Sequence, residues 1–326
     1  MKTFGAVVRM LTLGVLMGLA GSIAAQQAYP NKPIRFIVPY PPGGGADPVA
    51  RLYAQALTER WGQPVIVENR AGANTILAHE LVAKAPPDGY AVLMTTNTLP
   101  ITANLYRLPY DPIKDFDPVA TIAKSPYLLV LHPSVPANDL KELIALAKSK
   151  PGKLDYGSSA TGGTPHLGTE LLCIMTGIKM QHIPYKGTGP MTADLLGGQI
   201  QVAFNNAISS AVPLIKAGRL KAIAYTGDKR LPELPQVPTV AEAGLPEFEL
   251  ITWYAIVAPA GTPKAIIDKM SSETATLLAR SGTIEALARE GTVPFVSTPD
   301  QTAALIKADL AKYARIIKTA NIKIEK

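Results

Sequence analysis

Cysteine is nearly missing from this chain: Cys173 is the only one among 326 residues, so no internal disulfide can form. It lies in the run Leu171-Leu172-Cys173-Ile174-Met175 and reads as a small core residue rather than a nucleophile. Histidine is scarce too. His79, His132, His166 and His182 fall in four separate segments without metal-ligand spacing, so no metal site is expected. No Gly-x-Ser-x-Gly elbow surrounds Ser158 or Ser159, which removes the strongest local mark of a hydrolase. No glycine-rich segment carries the Lys-Ser/Thr pair of a phosphate loop or the glycine spacing of a dinucleotide fold, and no cofactor is expected. Acidic residues are scattered and form no clear acid–base pair. Every common catalytic route is missing, and the chain does not read as an enzyme. Basic residues are dispersed apart from small groups such as Lys216, Arg219 and Lys221, which argues against nucleic acid.

The first residues point to export. Lys2 and Arg9 make a short basic start, Met10 to Ile23 is apolar, and Ser22-Ile23-Ala24 offers small residues for cleavage. Residues 1–25 are therefore expected to be a signal peptide, and no cysteine follows that could carry a lipid anchor. No later segment has an uncharged apolar run long enough to span a bilayer. The formal charge is +7, or +5 once Lys2 and Arg9 are set aside, a mild field that favours anionic ligands.

Apolar runs alternate with helix-like segments, the pattern of an α/β protein of two domains. Strands are expected over 34–38, 65–67, 90–95, 127–131, 154–157, 200–204, 220–225 and 253–257. Helices are expected over 47–60, 73–84, 139–149, 166–176, 213–217, 263–280 and 299–318. Asn138 is expected to cap the helix over 139–149. The proline-rich stretch 231–238 reads as a connector.

Two loops carry the chemistry. The first is Val38-Pro39-Tyr40-Pro41-Pro42-Gly43-Gly44-Gly45-Ala46-Asp47-Pro48, between the strand 34–38 and the helix 47–60. Its glycines expose main-chain N–H groups, and Asp47 as N-cap with Pro48 at the first helical position would open it onto a helix N-terminus suited to an anion. A bulky residue at Gly44 is expected to block that approach. The second loop, Ser158-Ser159-Ala160-Thr161-Gly162-Gly163-Thr164-Pro165-His166, repeats the construction, with Thr164 as the expected cap. Two such cradles point to two lobes facing one cleft. Candidate ligand contacts are Tyr40, Pro42, Gly43, Gly44, Gly45, Ala46 and Asp47 in the first loop. In the second they are Ser158, Ala160, Thr161, Gly162, Gly163, Thr164 and His166. His166 reads equally as a site residue and as a structural histidine at a helix start. Asn97, Asn205 and Asn206 lie at other strand ends, where turn chemistry is as good an account as ligand binding. Trp253, like Tyr40, is a candidate wall for the ligand, ordinary packing being the competing account.

Motifs along nearly the whole of residues 29–320 resemble one family. They are Pro39 to Asp47, Val67-Glu68-Asn69-Arg70-Ala71-Gly72-Ala73, Ala85-Pro86-Pro87-Asp88-Gly89-Tyr90, and Tyr156 to His166. Pro184-Tyr185-Lys186-Gly187, Leu196-Gly197-Gly198-Gln199, Val237 to Gly244 and Ala258-Pro259-Ala260-Gly261-Thr262-Pro263 complete the series. The chain resembles the Bug family, the periplasmic solute-binding proteins of tripartite tricarboxylate transporters. The resemblance implies a two-lobed, type II-like periplasmic binding fold: domain 1 over 26–125 and 251–326, domain 2 over 126–250, joined by a hinge of two crossings near residues 125 and 250. It implies a small carboxylate held between the two loops, partly through water, and delivered to membrane permease subunits by a monomeric periplasmic protein. Where many relatives carry an aspartate, this chain has the neutral Asn205, so the expected ligand is an aliphatic or aromatic carboxylic acid without a charged amine. A sensor that presents the ligand to a membrane kinase, or an exported enzyme acting on an organic acid, are the alternatives.

Overall fold

The computed structural model describes residues 29–322, and the expected signal peptide lies outside them. The strands form two separate sheets. The first holds β1 (Ile34–Val38), β2 (Val65–Asn69), β3 (Ala91–Thr96), β4 (Phe116–Pro126), β10 (Ile251–Pro259) and β11 (Val293–Pro294), in the order β11-β4-β10-β3-β1-β2. The second holds β5 (Leu128–Leu131), β6 (Asp155–Ser158), β7 (Gln181–Pro184), β8 (Val202–Asn205) and β9 (Lys221–Tyr225), in the order β7-β6-β8-β5-β9. The chain passes from the first sheet to the second between β4 and β5 and returns between β9 and β10.

Both sheets are mixed. β1 runs parallel to β2 and β3, and β6 parallel to β7 and β8, while β10 and β5 run antiparallel to their neighbours. Each sheet is apolar on both faces, as sheets covered by helices must be. Along β10, Tyr254, Ile256 and Ala258 enter one core with Phe36 and Val38. Trp253, Ala255 and Val257 enter the opposite core with Ile37 and Leu93. This is the two-residue alternation of a strand, and it decides below which aromatic reaches the loops. In the second sheet Leu129 and Leu131 face one core while Leu128 and Val130 face the other.

Several elements depart from expectation. The sequence reading assigns nothing to β4, whose Pro118 and charged residues disguise it. β11 pairs only with Ala123 and Lys124 of β4, so Pro118 lies on a stretch without a neighbour on that side and its missing N–H costs no ladder bond. The segment 73–84 is not one helix. Ala73–Thr75 is a short turn of left-handed backbone, and the helix proper is Ile76–Ala83. Helices Thr98–Leu105, Thr188–Leu196 and Ser281–Arg289 were not expected. Asp139, not Asn138, caps the helix Leu140–Ser149, its side chain accepting from the Glu142 N–H. The C-terminal helix Pro299–Thr319 begins with a full capping box between Thr298 and Gln301. It packs on the helix Thr98–Leu105 and also reaches Thr164–Thr176 on the second sheet, where Tyr313 and Ile316 meet Leu167.

Candidate functional site

The first loop leads from β1 into the helix Ala46–Trp61. Gly45, not Asp47, is its N-cap, and no side chain caps it. The Asp47 carboxylate instead turns back into the loop. It accepts from the Gly43 N–H at 3.3 Å, Arg51 Nε at 3.0 Å and Asn69 Nδ2 at 3.0 Å. Burial pushes that carboxyl up, but the bonds from Arg51, Asn69 and Gly43 outweigh it and hold it below the usual carboxylate range. Asn69 also donates to the Tyr40 carbonyl at 3.0 Å, so one side chain fixes both ends of the loop. The Tyr40 hydroxyl is tied to Thr96 Oγ1 at 2.6 Å and Thr98 Oγ1 at 2.8 Å. Pro42 stays exposed at the rim. Gly43 adopts φ 81°, a conformation that favours glycine.

The second loop leads from β6 into the helix Thr164–Thr176. Gly163 is the N-cap, again without a side-chain bond, so Thr164 is the first helical residue rather than the cap. Ser158 Oγ donates to the Ala160 carbonyl at 2.9 Å and pairs with His182 Nε2 at 2.6 Å. The Gly162 N–H donates to His166 Nδ1 at 2.9 Å, and the Gly163 N–H to the Ala160 carbonyl at 3.0 Å. His166 and His182 stack with ring centroids 3.8 Å apart and 7° between planes. Burial, reinforced by His182, takes His166 down to about 3, and burial takes His182 down to about 4, so both are neutral at ordinary pH. A neutral His166 that accepts at Nδ1 carries its proton on Nε2. These bonds stiffen the loop. They also remove the Ser158 hydroxyl and the Gly162 and Gly163 N–H groups from the expected donor set.

What remains is backbone. Among the described residues no acceptor meets the N–H groups of Gly44, Gly45 and Ala46 in the first loop, or of Thr161, Thr164 and His166 in the second. The two loops are brought together across the sheets. A β-carbon placed on Gly45 would lie 3.3 Å from Asn206 Nδ2 and 3.5 Å from the Tyr254 hydroxyl. Asn74, beside the first sheet, donates through Nδ2 to the Thr161 carbonyl at 3.2 Å. Neither loop contains a lysine or arginine, and the one carboxylate in them, Asp47, is already neutralised by Arg51.

Three expected contacts are placed elsewhere. Trp253 is 1% exposed, and its indole N–H donates to Asp309 at 2.7 Å, on the face of β10 opposite Tyr254. The neighbouring Tyr254, not expected from sequence, is the aromatic at the first loop. Asn97 is consumed by the interior: Oδ1 accepts the Trp253 N–H at 2.9 Å, and Nδ2 donates to Asp309 at 3.1 Å and to the Tyr313 hydroxyl at 3.0 Å. Asn205 is fully buried, accepting from the Ala207 N–H at 2.8 Å and donating to Thr192 at 3.1 Å, so it shapes its own turn while Asn206 faces the first loop. Asn69 and Asn74 were missed as site residues. Asn69 stood inside a motif quoted for the resemblance, a signal available but not used. A surface hollow of about 550 Å³ lies beside Leu171, Glu249, Lys312 and Ile316.

The arrangement offers two sets of neutral donors on opposite lobes, which suits a carboxylate held without a salt bridge. A family model for the tripartite tricarboxylate transporter family receptor matches residues 49–322. The chain is 36% identical to Protein BugT of Bordetella pertussis over 318 residues, covering 96% of this chain and 97% of that protein. A solved structure described as a periplasmic transporter superposes with a TM-score of 0.84 at 40% identity, covering 91% of this chain and 100% of the other. R. palustris Rpa4515 with adipate superposes with a TM-score of 0.84 at 37% identity, covering 90% of this chain and 99% of the other. The expected two-lobed α/β binding fold is the one these proteins share, and it is the fold of a solute-binding receptor rather than an enzyme. The chain belongs to the tripartite tricarboxylate transporter receptor family, the TctC or Bug solute-binding proteins.

Proposed function

We propose that the protein, exported by the leader at residues 1–25 and not lipid-anchored, is a monomeric periplasmic receptor that closes over a small carboxylate and hands it to a membrane permease. The observation that carries this reading is the pair of glycine-capped helix starts, one on each lobe, whose first N–H groups find no acceptor among the described residues. A carboxylate bridging them satisfies donors on both lobes at once and therefore stabilises the closed arrangement over the open one. Residues Gly44, Gly45, Ala46, Thr161 and Thr164 are assigned as the carboxylate contacts, with Tyr254 and Asn206 beside them.

The ligand class follows from the charges. An amino acid brings an ammonium group that needs an anionic partner, and Asp47 is committed to Arg51, Asn69 and Gly43. The favoured ligand is a mono- or dicarboxylate without a charged amine, in keeping with the adipate held by the relative Rpa4515. Thermal denaturation against adipate, malate, benzoate, citrate, aspartate and glutamate tests this. A ligand at a hundred times its Kd adds about 2.7 kcal/mol to stability and raises Tm accordingly. Stabilisation by glutamate or aspartate with none by simple dicarboxylates would overturn the ligand class. No response to any carboxylate would overturn the site.

A further inference from the structure

Three consecutive non-glycine residues, Ala73, Asn74 and Thr75, adopt positive φ values of 45°, 50° and 76°. Left-handed backbone is disfavoured for any residue with a β-carbon, and most of all for a β-branched one such as Thr75. The Thr75 hydroxyl is also buried without a hydrogen-bond partner, a second cost in the same turn. Strain of this kind persists only where the surroundings impose it, and it gathers at segments that bind or switch.

What the strained turn achieves is the placement of one amide. Asn74 Nδ2 crosses between the lobes and donates to the Thr161 carbonyl at 3.2 Å. The N–H of that peptide group belongs to Gly162 and donates to His166 Nδ1 at 2.9 Å. The peptide between Thr161 and Gly162 is therefore pinned at both ends, by its own lobe through His166 and by the opposite lobe through Asn74. Gly162 has φ 70°, so this peptide stands at the point where the second loop turns. A bond accepted at the carbonyl also polarises the peptide and strengthens the bond its N–H makes.

We propose that Asn74 is a positioning residue that couples lobe closure to the shape of the second cradle. With the lobes apart, the Thr161 carbonyl loses its Asn74 partner and the peptide is held from one side only. With the lobes together, Asn74 fixes the peptide and with it the adjacent donors at Thr161 and Thr164. The inference rests on the reading of these loops as a carboxylate site, but its first consequence needs no ligand.

The test is Asn74→Gly, which keeps the positive φ without steric cost and deletes the amide, with Asn74→Ala as a companion that retains the β-carbon. The ratio of open to closed form in the ligand-free protein, read from distances between one spin label on each lobe, is expected to rise roughly three- to tenfold, the worth of one hydrogen bond. Exchange of the Gly162 amide hydrogen is expected to accelerate by a similar factor, and adipate affinity to fall with it. Asn74→Gly should melt at or above Asn74→Ala, since both lose the amide and only the glycine relieves the strain. Unchanged lobe distances and unchanged Gly162 exchange in Asn74→Gly would overturn the proposal and leave the turn a purely structural one. Shifted distances in a protein that binds no carboxylate would uphold the latch and sink the ligand reading instead.

Discussion

Replacing Gly45 by alanine separates folding from closure, because the two respond in opposite directions. Gly45 has φ −58° and ψ −22°, right-handed helical values that alanine adopts without strain. Restricting the unfolded chain at such a position raises stability by about 0.4–1 kcal/mol. The new β-carbon, however, would lie 3.3 Å from Asn206 Nδ2 on the opposite lobe and 3.5 Å from the Tyr254 hydroxyl. Tyr254, on the same lobe, would then sit at ordinary van der Waals distance and adds no penalty. Asn206 must give by a few tenths of an ångström, and it follows the tight turn in which Asn205 accepts from the Ala207 N–H. The penalty falls on the closed arrangement alone, since parting the lobes removes Asn206 from Gly45. Taking it at about 1 kcal/mol, the low end of overpacking costs, binding should weaken about fivefold. Urea unfolding of the ligand-free protein and calorimetric titration with adipate read the two effects separately. Gly44→Ala is the control, because its β-carbon would find only the Pro41 carbonyl at 3.8 Å. Sequence alone makes Gly44 the blocking position; the geometry moves that role one residue on. The reasoning fails if Gly45→Ala and Gly44→Ala bind equally well, or if Gly45→Ala loses affinity only by losing stability.

Two further outcomes follow from buried groups. His79 and His166 have pKa values taken by burial from 6.5 down to about 4 and about 3. Well above pH 6.5 neither folded nor unfolded chain is protonated at these sites, and stability is full. As pH falls, the unfolded chain takes up protons that the folded one refuses, costing on the order of 2 kcal/mol for each histidine between pH 6.5 and 4.5. Urea midpoints measured across that window should fall steadily, and a flat profile would show that these histidines titrate normally in the fold. Asn97→Ala should destabilise by about 2–4 kcal/mol, because it strips partners from Asp309, Tyr313 and the Trp253 N–H together. Wild-type stability in that variant, by urea unfolding, would return Asn97 to the list of ligand contacts.

Both loops were legible because their signal is local: a strand, a run of glycine and small residues, then a helix, all within about fifteen residues of chain. Their caps were misread because the choice between Gly45 and Asp47 is settled by Asn69, which reaches Asp47 across 22 positions. Trp253 and Tyr254 show the same limit in a strand. Alternation says that one of them faces the loop, but the register of β10 against β3 and β4 decides which, and register is a property of pairing between distant segments. Asn97 and Asn205 were polar residues at strand ends, a pattern shared by ligand contacts and by turns, and in both the interior claimed the side chain. Asn74 carried no local sign, since its partner Thr161 is 87 positions away. Glycine runs mark where backbone is offered to a ligand, and a short-range reading finds them. The side chains that meet across the lobes, Asn74 with Thr161 and Asn206 with Gly45, are hidden by the sequence separation of those pairs. For the same reason, exchanging residues at positions 74 and 206 should alter closure, and at position 74 the Thr161–Gly162 peptide as well, while the fold of each lobe stays as it is.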